Sequence, residues 1–310
     1  MTRGIYLVAN RRSEQLCENL IYSIRMSGCR LPIRLIPFGG DPVASERILR
    51  EVELVAPTSF PEEAGSLLEE LTPLLTSCPG GYLRRFLAWF GDWDEFIYSD
   101  NDVVATMNWE ELFEHLPGFD LVHADEEYRT GGAYNYRQPA ELERAFGKGA
   151  LLSAFTAGHM LVKRDLRMVD DMRRAARWFR ENPDIPLKHD QALLHVASLL
   201  GSWKALNLCR PPHNWGSSWA GDYGNTLAVV HRIAAGRRVS HIHYSGGHVR
   251  LSAPIEDFAT AYLSSSQRTR ALAGAALREL AGLPRIRHVC GRIRARVTEI
   301  PLASRSRRDP

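Results

Sequence analysis

Glu95-Phe96-Ile97-Tyr98-Ser99-Asp100-Asn101-Asp102-Val103-Val104 is the stretch from which the rest of the chain can be read. A short apolar run, Phe96 to Tyr98, breaks into two carboxylates spaced i, i+2, and apolar residues resume at once. Carboxylates flanked so closely by apolar residues are costly to bury without partners. A hard divalent cation is one such partner, since Mg²⁺ or Mn²⁺ commonly joins one or two carboxylates to substrate phosphates. An acidic turn capping a strand is the other reading, because three letters of D-x-D match by accident.

The segments upstream place that stretch in a sheet. Ile5 to Ala9 reads as a buried strand closed by Asn10 and two arginines, and Leu16, Leu20, Ile21 and Ile24 then follow helical spacing up to Gly28. A second strand is expected at Ile33 to Phe38, ended by Gly39-Gly40-Asp41-Pro42. Helical segments are expected over Ala44 to Val52, Glu62 to Leu75 and Tyr82 to Phe90, with a short strand near Leu54 and Val55. The β-α-β-α-β order predicts an α/β fold, a mixed and mostly parallel sheet flanked by helices. Ligands of such sheets gather at strand carboxyl ends, so Asn10 and Asp100 are expected to border one crevice.

Downstream, Trp109 to Leu116 reads as helix, Asp120 to Ala124 as strand, and Glu126 to Gln138 as a polar surface loop. Met168, Met172, Ala175, Ala176 and Phe179 form one stripe on a helix spanning Asp165 to Asn182, and Asp190 to Leu200 is a further helix. Pro211 to Tyr223, rich in Trp, Gly and Ser, reads as a binding loop in which Trp215 and Trp219 could stack on a sugar or simply pack.

Composition sets the class. The 310 residues are 45% hydrophobic and 24% charged, enough for a large core, and the formal net charge of +3 is too small to argue for nucleic acid. Five scattered cysteines without a CxxC pair argue against zinc or a disulfide framework and favour a reducing cytoplasm. No apolar run approaches the roughly 18 to 20 residues of a membrane span. From Arg285 to Pro310 there are eight arginines against two acids, with Ile286, Val289, Ile293 and Val297 at helical spacing. That helix suits either peripheral contact with an anionic inner membrane face or docking on the body with a solvated basic side.

A second cluster strengthens the first. Ser240-His241-Ile242-His243-Tyr244-Ser245-Gly246-Gly247-His248 puts two histidines on one side of a strand, before a glycine pair whose N–H groups can contact phosphate. An imidazole can complete the coordination of a cation held by two aspartates.

With these residues in order, the chain resembles the GT-A (Rossmann-like) nucleotide-sugar glycosyltransferases, especially the glycogenin and lipopolysaccharide galactosyltransferase group, over about 80% of its length. Ile5 to Asn10 looks like the strand whose end holds the nucleotide base, and Tyr82-Leu83-Arg84 is similar to the Tyr-x-Arg entry. Tyr98-Ser99-Asp100-Asn101-Asp102 resembles the Tyr-Leu-Asp-x-Asp metal motif, and Phe155-Thr156-Ala157-Gly158-His159-Met160-Leu161 the donor-sugar segment. His189-Asp190-Gln191 resembles the segment near the reacting centre, and His243-Tyr244-Ser245-Gly246 the opening of His-x-x-Gly-x-x-Lys-Pro-Trp. Two departures stand out: Thr156 replaces the usual Asn, and Val249-Arg250-Leu251 replaces Lys-Pro-Trp.

The resemblance implies a metal-dependent transferase that moves a sugar from a nucleoside diphosphate sugar, expected to be a UDP-sugar, to a glycan, lipid or small-molecule acceptor with retention. It implies Mn²⁺ or Mg²⁺ on Asp100, Asp102 and His243, and nucleotide-sugar contacts from Ala9, Asn10, Arg84, Asn101, Thr156, Gly246 and Arg250. Asp190, Gln191 and Arg84 are the implied catalytic groups, and an inverting route would need Asp125 or Asp190 as base. The implied catalytic domain covers residues 1–265, its nucleotide part about 1–125 and its acceptor part about 126–265; residues 266–310 form the basic helical extension, ending in disorder. Rival readings are a sugar nucleotidyltransferase, disfavoured because Ala9-Asn10-Arg11-Arg12 lacks a glycine-rich loop, and a non-catalytic GT-A-like protein held at a membrane by its basic end.

Overall fold

The computed structural model describes residues 1–78, 80–130, 132, 134–223 and 232–244. The expected basic helix, Gly246 and Arg250 lie outside the described residues. The elements run β1 (Arg3–Ala9), α1 (Glu14–Met26), β2 (Ile33–Pro37), α2 (Glu46–Leu49), β3 (Glu53–Leu54), α3 (Glu62–Leu71), β4 (Glu95–Ser99), β5 (Val103–Ala105) and β6 (Leu121–His123). They continue with α4 (Pro139–Phe146), β7 (His159–Lys163), α5 (Arg167–Glu181), α6 (Asp190–Gly201), β8 (Ala205–Asn207) and β9 (His241–His243). No helix among the described residues is long and apolar enough to cross a membrane.

Seven strands form one sheet in the order β3-β2-β1-β4-β7-β6-β8. Neighbours are parallel except at β7, which pairs antiparallel with β4 and β6. Strand β1 alternates between two cores. Ile5 and Leu7 pack with Leu20, Ile24, Ile97 and Trp109 on the α1 side. Tyr6 and Val8 pack with Leu67, Phe86, Phe96 and Tyr98 on the other. Both faces of β1 are covered, which is why it reads as a continuous apolar run rather than an alternating one. The stripe Met168, Met172, Ala175, Ala176 and Phe179 is buried on α5, as its spacing predicts.

Four local expectations are corrected, the first being Trp109 to Leu116, which is a 3₁₀ helix over Trp109–His115. Tyr82 to Phe90 belongs to a 3₁₀ helix, Gly80–Phe90, with three residues per turn instead of 3.6. The helix expected over Ala44 to Val52 shrinks to the four residues of α2, because the chain turns into β3. The polar segment from Glu126 to Gln138 is not a surface loop throughout. It holds a 3₁₀ turn, Glu127–Thr130, and buries Asn135 and Tyr136, whose polar groups reach Gln191 and His195 on α6.

Two features put chemistry at one rim of the sheet. Because β7 runs against β4, its amino end lies beside the carboxyl ends of β1, β2 and β4, and the Asp100 N–H donates to the Gly158 carbonyl at 2.7 Å. Separately, β5 pairs with β9 in a two-stranded sheet, Val103 opposite His243.

Candidate active site

Asp100 follows the last residue of β4, and Asp102 immediately precedes β5. The β5–β9 pairing brings His243 to them: the Tyr244 N–H donates to the Asp102 carbonyl at 2.8 Å, and His243 Nε2 stands 3.3 Å from Asp102 Oδ1. One ligand atom from each of Asp100, Asp102 and His243 can be chosen so that all lie within 4.8 Å of one another. Gly158 makes room, since a Cβ there would fall inside the His243 imidazole.

The electrostatics match a site built for a cation. Burial raises the Asp100 carboxyl above its ordinary range, outweighing Arg85, and the Asp102 charge pushes the same way. Burial opposes ionisation of Asp102 as well, but the facing His243 holds its carboxyl below the ordinary value, and Asp102 in turn holds the buried imidazole above its own. Two crowded carboxylates with an imidazole between hard and soft preference form a donor set that a divalent ion would relieve. Asp100 and Asp102 keep 22% and 28% of their side-chain surface, so they remain reachable from the cleft.

That cleft, of about 750 Å³, is bounded by Val8, Asn10, Tyr82, Arg85, Asp190 and Gln191 together with the three candidate ligands. Asn10 and Asp100 do border one crevice. Asn10 is fixed by its own turn, its Oδ1 accepting from the N–H of Arg12 at 3.0 Å. Asn101 donates to the Val8 carbonyl at 2.7 Å, while its Oδ1 is buried with no hydrogen-bond partner. Ala9 turns its methyl into the core, and its carbonyl accepts from Phe38.

The two arginines of the 3₁₀ helix part company. Arg84 donates to the Pro37 carbonyl and lies along Gly39, away from the acid pair. Arg85, 3% exposed, points into the site: one Nη is 3.0 Å from Asp100 Oδ1 and the other 2.8 Å from Asp190 Oδ2. It also donates to the Ala157 carbonyl at 2.9 Å and stacks 4.9 Å over the Tyr98 ring, whose hydroxyl donates to Asp100 at 2.7 Å. Sequence reading passed over Arg85. A period of three would have found it, because Tyr82 and Arg85 share a face of a 3₁₀ helix while Leu83, Phe86 and Trp89 share the buried one.

Asp190 opens α6 but does not cap it; His189 does, accepting from the Ala192 N–H. Gln191 is held between Asn135, to which it donates at 2.8 Å, and the Ala157 N–H, which donates to it at 3.3 Å. Thr156 commits both its N–H and its hydroxyl to Asp125, at 3.0 and 3.2 Å. Asp125 also faces His123 at 2.7 Å and accepts from the Glu127 N–H at 2.9 Å. Burial works against its charge, yet His123 and the N–H donors keep its carboxyl below the usual range.

Gln191 lines a second cleft too, of about 370 Å³, with Thr156, Glu127, Tyr134 and Trp219. Burial, aided by Asp125, lifts the Glu127 carboxyl to about 7, and its Oε1 has no hydrogen-bond partner. Trp215, by contrast, is buried at 6% exposure against His115 and Arg238 and lines neither of these two clefts.

No family model matches the sequence, and no curated protein matches it. Solved structures do. The bifunctional glycosyltransferase WbbM superposes with a TM-score of 0.59 at 14% identity, over 88% of this chain and 51% of its own, so the chain spans about half of that protein. The galactosyltransferase LgtC, solved with donor and acceptor sugar analogues, gives 0.52 at 14% identity, covering 87% of this chain and 99% of its own. Mouse xyloside xylosyltransferase 1 gives 0.51 at 13%, covering 80% and 99%. The fold is GT-A. Within a GT-A sheet the antiparallel β7 and the small β5–β9 sheet are the parts that assemble the acid–imidazole cluster in this chain.

Proposed function

We propose that this chain transfers a sugar from a nucleoside diphosphate sugar, a UDP-sugar in the first instance, to an acceptor hydroxyl, using Mn²⁺ or Mg²⁺. The observation that carries the reading is the meeting of Asp100, Asp102 and His243 at the mouth of a cleft large enough for a nucleotide. A divalent ion held by those three would neutralise the diphosphate and stabilise the leaving oxygen as a Lewis acid. The protein supplies the rest. Arg85 anchors Asp100 and Asp190 in fixed positions on either side of the cleft. Asn10 lines its nucleotide end. Gln191, fixed by Asn135 and Ala157, offers an oriented amide dipole where donor and acceptor clefts meet.

Retention is the outcome this reading favours. Asp125 and Asp190, the carboxylates considered as base for an inverting route, are both committed to partners. In the second cleft burial raises the proton affinity of Glu127, and of Glu126 beside it, but Glu126 is paired with Arg129. Thermal-shift measurement with UDP and a panel of UDP-sugars, with and without Mn²⁺, tests the donor and the metal together. Stabilisation by no nucleotide in either condition refutes the proposal; NMR of the product anomer then decides between retention and inversion.

A further inference from the structure

Beyond the second cleft lies a cavity whose chemistry the transfer reaction does not use. It has a volume of about 380 Å³ and is lined by Glu126, Arg129, Asn214, Trp215, Arg232 and Arg237 among others. Glu126 and Arg129 line the second cleft as well, and Gln191 joins that cleft to the one holding the acid cluster. The three spaces therefore adjoin one another through shared lining residues.

The charges in this cavity do not cancel. Glu126 is matched by Arg129 at 2.7 Å. Among the described residues neither Arg232 nor Arg237 forms an ion pair, whereas the adjacent Arg238 turns away to Glu111 at 3.3 Å. The pair is held together by the backbone. Residues 232 to 234 are helical, and Gly236 adopts a left-handed conformation at φ +77°. The Gly236 N–H then donates to the Ile233 carbonyl at 3.0 Å, and the Arg237 N–H to the Arg232 carbonyl at 2.9 Å. This is the glycine-dependent closure of a helix end, which fixes the chain after it relative to the last turn. Arg232 is partly buried, with its guanidinium 5.1 Å over the Tyr223 ring. Two guanidiniums that form no ion pair among the described residues, with an amide at Asn214 in the same wall, form a donor array suited to a tetrahedral oxyanion, which accepts paired N–H bonds from arginine.

We infer that Arg232 and Arg237 bind the phosphate group of a phosphorylated acceptor, whose hydroxyl-bearing part occupies the adjoining cleft lined by Glu127 and Trp219. The word acceptor rests on the glycosyl-transfer reading above; the phosphate site itself rests only on the cavity and its arginines. The phosphate can belong to a soluble sugar phosphate or to a lipid headgroup, and the same two side chains would hold either.

Calorimetric titration tests the site at low ionic strength, where arginine–phosphate contacts are least screened. The full-length protein is first saturated with UDP and Mg²⁺, so that phosphate cannot report on the donor cleft. Inorganic phosphate and glucose 1-phosphate are then titrated against the parent, Arg232→Ala/Arg237→Ala, and the exposed-site control Arg30→Ala. Saturable binding that weakens about tenfold or more in the double variant alone is the expected result. Equal binding by the double variant, or none by the parent, overturns the site. Flotation with phosphatidylcholine vesicles containing phosphatidylglycerol identifies the source. Capture that the double variant loses assigns a lipid headgroup, and arginine-dependent binding of the soluble phosphates without capture assigns a soluble acceptor. Should UDP itself not bind, the glycosyl-transfer reading falls while the phosphate titration still stands on its own.

Discussion

Arg85 and Asp190 form an ion pair at 2.8 Å across the cleft, and the same guanidinium reaches Asp100 at 3.0 Å. One buried cation thus sets the separation between the Asp100 end of β4 and the first turn of α6. Breaking a buried pair by removing one partner costs roughly 3–5 kcal/mol. Arg85→Ala is therefore expected to lower unfolding stability by about that amount, read from the denaturant midpoint, and Arg85→Lys to recover little because a single ammonium cannot span both carboxylates. Arg84→Ala, which removes a bond to the Pro37 carbonyl, should cost only about 1 kcal/mol. A reversed ranking would show that Arg84 occupies the site.

Asp102→Ala is expected to reduce metal-dependent hydrolysis or transfer of a nucleotide sugar at least about a hundredfold, with circular dichroism unchanged. Chelator should do the same to the parent. Full turnover in either case removes the metal from the reaction.

Gly158 tests the same centre without touching a ligand. A Cβ at this position collides with the His243 ring, so Gly158→Ala should weaken Mn²⁺ affinity by about 10- to 100-fold. Gly65→Ala is the control: it lies exposed within α3 with nothing near its missing Cβ, and should stabilise the protein by up to about 1 kcal/mol. Electron paramagnetic resonance of Mn²⁺ titrations separates the two.

The buried His195 predicts a pH dependence of stability that involves none of the candidate metal ligands. It stands 2.6 Å from the Tyr136 hydroxyl and 2.9 Å from that of Ser153, and burial holds its imidazole down at about 4 against an ordinary 6.5. Below pH 6.5 the unfolded chain takes up a proton that the native state refuses. Its contribution therefore falls by about 1.4 kcal/mol per pH unit on acidification toward pH 4, and is constant above 6.5. Urea midpoints of the parent and His195→Gln, compared between these limits, should converge as pH falls; parallel curves would show that folding does not lower the His195 pKa.

Much of this architecture was legible because burial leaves a period in the chain. The continuous apolar run of β1, the stripe of α5 and the abrupt acids after Tyr98 each report a local environment that neighbouring residues share. Arg84 and Arg85 mark where legibility ends. The choice between adjacent arginines depends on whether the backbone winds at 3.0 or 3.6 residues per turn, and the apolar residues around them satisfy both. Asn135 and Tyr136 look like surface residues for a related reason, since their partners Gln191 and His195 lie on a helix far along the chain. His243 was legible as a ligand type, but its partner strand Val103–Ala105 is too short to announce a pairing.

The pairing of β5 with β9 also carries a temporal meaning. Its two strands come from distant parts of the sequence, and non-local contacts of this kind close late because loop closure must precede them. The two aspartates precede the imidazole in the chain by more than half of the described sequence. On the proposed reading, the ion site is complete only once β9 has paired with β5, so a chain that ends before His241 is expected to lose Mn²⁺ affinity.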